Sequence, residues 1–527
     1  MKYTVLKEIR VGIALVFLLL ISLFFLDFRL EVPEELITTT LYLQFAPSLM
    51  KFLTTLSLAS AGFFIVMLLT ALFGRVYCSA ICPLGILQDV FIRLSNLFKK
   101  KKKRWNRFSR PYNILRYVIL GLTALVLIFG STLLLTLLDP YSNFGRIFTY
   151  LFKPVVVGIN NAAAGLLKNL NLYFLYRVDL YPVSAGLMAI PGVTLLVVFI
   201  MSVTRGRLFC NTICPVGALL GIMSRYSLFR IRIEPSECTR CSLCEKACKA
   251  ECIDYKEGFI DYSRCVACFN CINSCREGAV KFDLVRPVKT PVAAEAKPAM
   301  AVDGSKRKFI TGSIAWLLGL AGAGIAQDIP QPTKKSTVPE PRNHPVCPPG
   351  SSGFTVFNKT CTACSLCVSV CPTGVLQPSF LEYGLVGLLQ PRMDYHAGFC
   401  NFECTRCTEI CPNGALLPLK LGEKKLTQLG IAHFIKENCI VHTEKTDCGA
   451  CSEHCPTKAV HMVPYEGSLV IPEVDDAICI GCGACEYACP TIPYKAIFVD
   501  GNPLHLKADP PAEEEKAKIE LEDDFPF

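Results

Sequence analysis

Twenty-four of the 30 cysteines in this chain fall into short runs whose spacing suits thiolate ligation of iron. The ferredoxin pattern is C-x2-C-x2-C-x3-C-P. Its two-residue gaps let three sulfurs converge on one [4Fe–4S] cube, and its fourth cysteine usually ligates the neighbouring cluster. Such motifs therefore come in pairs. The first pair is Cys238, Cys241, Cys244, Cys248 and Cys265, Cys268, Cys271, Cys275, with Lys249 and Arg276 where the proline usually stands. Crossed ligation would join Cys275 to the first three and Cys248 to the second three. The second pair is Cys361, Cys364, Cys367, Cys371 and Cys400, Cys404, Cys407, Cys411, the latter opening with a three-residue gap. The third is Cys439, Cys448, Cys451, Cys455 and Cys479, Cys482, Cys485, Cys489; eight residues separate Cys439 from Cys448, so Cys439 departs furthest from the pattern. These sets predict six [4Fe–4S] clusters and single-electron chemistry.

Zinc also accepts four thiolates, but six sets in ferredoxin order, most ending in Cys-Pro, favour iron. A disulfide framework fits poorly, because the 17 cysteines after residue 326 are odd in number and too tightly spaced to pair by geometry. Cys252 and Cys347 fall outside the motifs and read as structural thiols.

Two further pairs stand apart. Cys78 and Cys82 lie in Tyr77-Cys78-Ser79-Ala80-Ile81-Cys82-Pro83, and Cys210 and Cys214 in Phe209-Cys210-Asn211-Thr212-Ile213-Cys214-Pro215. Both read C-x3-C-P-x-G, and each follows an apolar stretch, so the chain carries an internal repeat. Residues four apart share a helix face, so each pair is expected to present two sulfurs together. Four sulfurs suit an extra metal site or two redox-active dithiols; buried structural turns are the bland alternative.

The elements that must position these residues are largely apolar. Hydrophobic residues make up 52% of the 527 and the mean hydropathy is +0.40. A spanning helix needs about 20 mostly apolar residues. Four stretches qualify, near 11–28, 51–73, 113–138 and 184–203, and a shorter fifth lies at 309–326. The stretch near 150–167 carries Lys153, Asn160 and Asn161 and reads as interfacial or re-entrant. The expected fold is thus a membrane α-helical bundle of about five spans plus α+β bacterial ferredoxin-like 2[4Fe–4S] domains. Its divisions are a membrane domain 1–230, a ferredoxin domain 231–285, a linker 286–305, an anchor 306–327, a four-cluster domain 328–500 and an acidic tail 501–527.

The net charge of +10 could suggest nucleic acid, but the basic residues crowd beside the apolar spans, and no nucleic-acid partner is expected. Residues 99–110 hold eight basic residues and no acid. Basic flanks predict a cytoplasmic N-terminus and first ferredoxin domain in a multi-pass bacterial inner-membrane protein. Ser305-Lys306-Arg307-Lys308-Phe309-Ile310 is close to a twin-arginine export signal, which predicts a periplasmic C-terminal domain. On that topology the membrane cysteines and two clusters share one side, four clusters lie opposite, and nothing in the sequence places a cofactor between them; a quinone, a partner subunit or a different topology could each bridge that gap.

All seven histidines follow residue 326, so the membrane half cannot hold a bis-histidine haem. No C-x-x-C-H, convincing dinucleotide fingerprint or Walker A sequence occurs. Single-electron transfer remains.

Residues 1–285 resemble the NapH-type membrane ferredoxin of periplasmic nitrate reductase systems, in their spans, two C-x3-C-P motifs and two clusters. Residues 306–500 resemble its NapG-type partner, with a twin-arginine-like leader and four clusters. The resemblance implies a quinol dehydrogenase component, with quinone and a periplasmic cytochrome or reductase as partners. With no membrane histidine, Glu31, Glu34, Glu35, Asp139 and Asp179 are the candidate proton acceptors. The competing function is metal handling or assembly, in which the C-x3-C-P thiols bind a soft ion such as Cu(I).

Overall fold

The computed structural model describes residues 4–57, 60–99, 106–179, 185–284 and 336–510. The linker at 286–305, the anchor at 306–327 and residues 511–527 lie outside them.

Among the described residues, three helices are long and apolar enough to cross a membrane: Val5–Leu26, Pro140–Asn169 and Gly186–Arg205. Two expected spans are broken instead. The 51–73 stretch forms Phe45–Thr55 and Gly62–Phe73, the first closed by Leu56 in the left-handed region at φ 48°. Gly62 then lies against Tyr42, where a Cβ would stand 1.9 Å from the carbonyl oxygen. The 113–138 stretch breaks at Gly130, φ 80°, into Asn113–Ile128 and Leu133–Leu138. Hydropathy is blind to such breaks, because the apolar run continues through them. The stretch near 150–167 is also corrected. It belongs to a continuous 30-residue rod starting at Pro140, with Asp139 capping the Ser142 amide at 2.7 Å and a π-helical turn at Phe148–Phe152.

The first ferredoxin unit pairs strand Phe229–Ile233 antiparallel with Val280–Leu284, closing its two cysteine runs between strands. In 336–510, three antiparallel pairs carry the remaining runs, the longest joining Thr427–Phe434 to Ile497–Lys507. That last strand passes residue 500, into the stretch expected to be tail.

The two units sit at opposite ends of the Thr4–Leu26 helix. Leu6 packs on the core of the first unit. Phe25 and the Cys364 carbonyl both crowd Gly145. The rise from residue 6 to 25 is about 28 Å, close to the ~30 Å thickness of a bilayer's hydrocarbon.

Candidate iron–sulfur centres

The cysteine runs fold into loops that turn sulfurs inward. In four of them the backbone enters the left-handed region twice, two and four residues after the first cysteine. These pairs are Arg240 and Ser242, Ala267 and Phe269, Ala363 and Ser365, and Gly481 and Gly483. Only the last pair is glycine, so the other six residues hold a conformation costing about 1–2 kcal/mol each. The two irregular runs, opening at Cys400 and Cys439, lack this pair of turns. Residue type does not signal this strain, since six of the eight positions carry ordinary side chains.

The sulfurs gather in crossed sets of four. Cys238, Cys241, Cys244 and Cys275 line one small cavity, and Cys439, Cys448, Cys451 and Cys489 another. Cys439, the least regular candidate, thus joins its set. Cys271 has Cys265, Cys268 and Cys248 as neighbours, and Cys485 has Cys479, Cys482 and Cys455. Cys361, Cys364 and Cys367 surround Cys411, while Cys400, Cys404 and Cys407 gather with Cys371. The fourth sulfur of each run thus crosses to the partner set.

These thiols form no disulfide. A single tetrahedral ion with bonds of about 2.3 Å would hold its sulfurs about 3.8 Å apart. Among the described residues, no three of the sulfurs lie within 4.8 Å of one another. The sets are too wide for one ion and suit a multi-iron cluster with each sulfur on a different iron. Burial pushes Cys364, Cys451 and Cys482 up to about 12, so ionised sulfur there calls for bound positive charge. Amides of Ala363, Leu416 and Ala496 donate to Cys361, Cys411 and Cys489 at 3.4, 3.5 and 3.4 Å, contacts of the kind that tune cluster potentials. Cys252, taken as a structural thiol, touches the second set, its sulfur 3.5 Å from that of Cys248.

The C-x3-C-P thiols meet in the middle of the molecule. Each pair straddles a break rather than sharing one helix face. Cys78 ends up on Val76–Ala80 while Cys82 caps Pro83–Phe98, and Cys210 and Cys214 repeat this on Leu208–Thr212 and Pro215–Ser224. Cys82 and Cys214 share the same backbone angles, φ −68° and ψ 116°. The two halves clasp reciprocally. Arg75 donates to the Cys210 carbonyl at 3.1 Å, and Arg207 to the Cys78 carbonyl at 2.6 Å. Gly85 and Gly217 make room, for a Cβ would stand 2.4 and 2.2 Å from those same carbonyl oxygens. All four thiols are buried, and Cys82 is in electrostatic reach of the other three.

One buried core reaches from the first ferredoxin unit to the second. It runs from Cys268 of the first ferredoxin unit through Cys78, Cys82 and Cys214 to Tyr141 and Cys364. At the first unit, Arg75 and Arg116 donate to the Ser263 carbonyl at 3.1 and 2.9 Å. At the other end, Thr132 donates to the Cys361 carbonyl at 3.0 Å and Arg146 to that of Ala363 at 3.3 Å.

The candidate proton acceptors separate. Glu31 faces Arg29 at 3.7 Å, Glu34 pairs with Arg406 at 3.3 Å and Glu35 is exposed. Asp139 is buried in the core, and Asp179 lines a cavity beside Cys371.

A family model described as a 4Fe-4S binding domain matches residues 56–104 and again 187–234, the two C-x3-C-P segments. Two models described as 4Fe-4S dicluster domains match 360–416 and 446–492. An uncharacterized protein of Methanocaldococcus jannaschii is 26% identical over 41% of this chain and 68% of its own length. The putative electron transport protein YccM of Escherichia coli K12 is 24% identical over 49% and 60%. The ferredoxin-type protein NapH of the same strain is 27% identical over 42% and 66%. No solved structure matches the chain. In its repeated C-x3-C-P segments, apolar helices and paired cysteine runs, the chain is similar to the NapH-type membrane ferredoxins.

Proposed function

We propose that this membrane iron–sulfur protein carries single electrons between a quinol on one face and a redox partner. Six [4Fe–4S] clusters form the route, held by the crossed sets of four thiols. The observation that carries this reading is the unbroken core from Cys268 to Cys364 through the C-x3-C-P thiols. When bound, such clusters change charge by one unit with little rearrangement. The chain's own residues do the rest. Crossed cysteines tie each pair of sites into one rigid unit. Arg75, Arg116 and the Arg207 amide lock the first unit onto the membrane helices, and Thr132 and Arg146 lock the second. The apolar packing around them excludes water.

The ends of the Thr4–Leu26 helix would face opposite sides of a bacterial inner membrane, with the 336–510 unit outside as a NapG-type half. A periplasmic cytochrome or reductase is then the acceptor. A single-ion site shared by three or more of the four central thiols is disfavoured, since no three of them approach within 4.8 Å.

Anaerobically purified protein should contain about four irons and four sulfides for each of six sites. In proteoliposomes, dithionite outside should reduce an acceptor sealed inside. Zinc in place of iron, or no inorganic sulfide, refutes the reading.

A further inference from the structure

We propose that the cavity between the Pro140–Asn169 rod and the loop at Cys371 is the quinol site, an inference that rests on the electron-transfer reading above. The cavity holds about 420 Å³, enough for a drug-sized ring. Its walls are mostly apolar, with Phe28, Val157 and Met188 among them. A few polar groups converge on it, the usual way a site fixes one orientation of a ring. Thr149 Oγ1 is buried and has no hydrogen-bond partner. Lys153 gives one of its three donors to the Ser369 carbonyl. Asp179 supplies a carboxylate on the same wall. A lipid acyl chain would leave the buried Thr149 hydroxyl unmet.

Two observations favour a long-tailed redox ring over other occupants. Cys371, which gathers with Cys400, Cys404 and Cys407, forms part of the wall. The segment that carries Asp179 is fastened to the rod by Asn161, which donates to the Val178 carbonyl at 2.8 Å and accepts from its amide at 2.9 Å. Just before it, Tyr173, Phe174 and Tyr176 are 75%, 78% and 56% exposed. Exposed aromatic residues mark the boundary between hydrocarbon and headgroups, the depth at which a quinol presents its ring while its tail stays in lipid.

The chemistry balances as follows. Both quinol O–H bonds break, and the ring becomes a quinone with two carbonyls. Asp179 takes the protons in turn and passes them to water. The two electrons would leave singly through the site at Cys371 into the route of clusters. Thr149 and Lys153 donate to the ring oxygens and hold them in place.

The test uses the full-length protein in nanodiscs and a menaquinone analogue bearing an aryl azide. Illumination should label peptides containing Thr149 to Val157, Asp179 or Cys371. Val157→Trp, which fills the cavity, should cut labelling at least tenfold with iron and sulfide content unchanged. Thr149→Val, which alters little volume, should weaken it several-fold. Label on other peptides, or undiminished label in Val157→Trp, overturns the site. Wild-type protein that relays dithionite electrons yet takes no label overturns the site alone. Protein with no electron relay overturns the wider reading and this one with it.

Discussion

Replacing Asp89 with asparagine should loosen the first ferredoxin unit from the membrane helices. Asp89 is the single carboxylate facing three cations. Its Oδ1 accepts from Arg207 Nε at 2.9 Å, and its Oδ2 pairs with Arg207, Arg10 and Lys249 at 2.9, 3.3 and 3.2 Å. Arg10 belongs to the first helix, and Lys249 follows a cluster cysteine, so the carboxylate ties three parts of the chain together. Arg207 is wholly buried and Arg10 nearly so. Asparagine keeps the size but removes the charge, leaving Arg207 buried without compensation. Breaking a buried pair in this way costs roughly 3–5 kcal/mol. Taking about 3 kcal/mol, and tenfold for each 1.4 kcal/mol, the contact should open about 100-fold more often. The Arg207 amide, which donates to the Lys249 carbonyl at 2.9 Å across this contact, reports the opening directly. Hydrogen exchange of peptides 204–212 and 245–252 should therefore quicken about 100-fold, while the distant 427–434 strand stays protected. Exchange within twofold of wild type at both peptides would refute the reasoning.

Cys411→Ser should expose Cys361, Cys364 and Cys367 to alkylation rather than its sequence neighbours Cys404 and Cys407; the opposite pattern would rule out crossed pairing. Gly217→Ala should lower the melting temperature sharply in detergent, since overpacking costs about 1–3 kcal/mol and the new Cβ would stand 2.2 Å from the Cys210 carbonyl; an unchanged melt would show that the clasp has slack. Burial alone would raise Glu340, but His396, the Lys495 amide and Arg342 outweigh it and hold the carboxyl at about 2, below its ordinary 4.5. Its ionised form therefore adds stability above pH 4.5, and that stability is lost as the pH falls toward 2. Glu340→Gln should destabilise the 336–510 unit by roughly 1 kcal/mol at pH 7, after allowance for solvent screening. The gap from wild type should narrow below about pH 5, and a gap that widens on acidification would contradict the assigned sign.

Local chemistry was legible in the chain, and long-range assembly was not. The ligand loops could be read because C-x2-C-x2-C spacing is a property of a few consecutive residues, and convergence of three sulfurs needs no distant partner. Even Cys439, with eight residues between it and the next cysteine, could be named, though it departs furthest from the pattern. The repeat of Cys78, Cys82 and Cys210, Cys214 was equally visible, but not that the halves meet. That depends on Arg75 reaching Cys210 and Arg207 reaching Cys78, contacts spanning 135 and 129 residues. Apolar runs located the membrane segments but not their interruptions at Leu56 and Gly130, which are fixed by backbone angles rather than by hydropathy. Composition and spacing thus determined that this is a membrane protein built to hold iron and sulfur. Only tertiary packing decided that both ferredoxin units share one core with the central thiols, because burial between distant segments is a property of the folded chain as a whole.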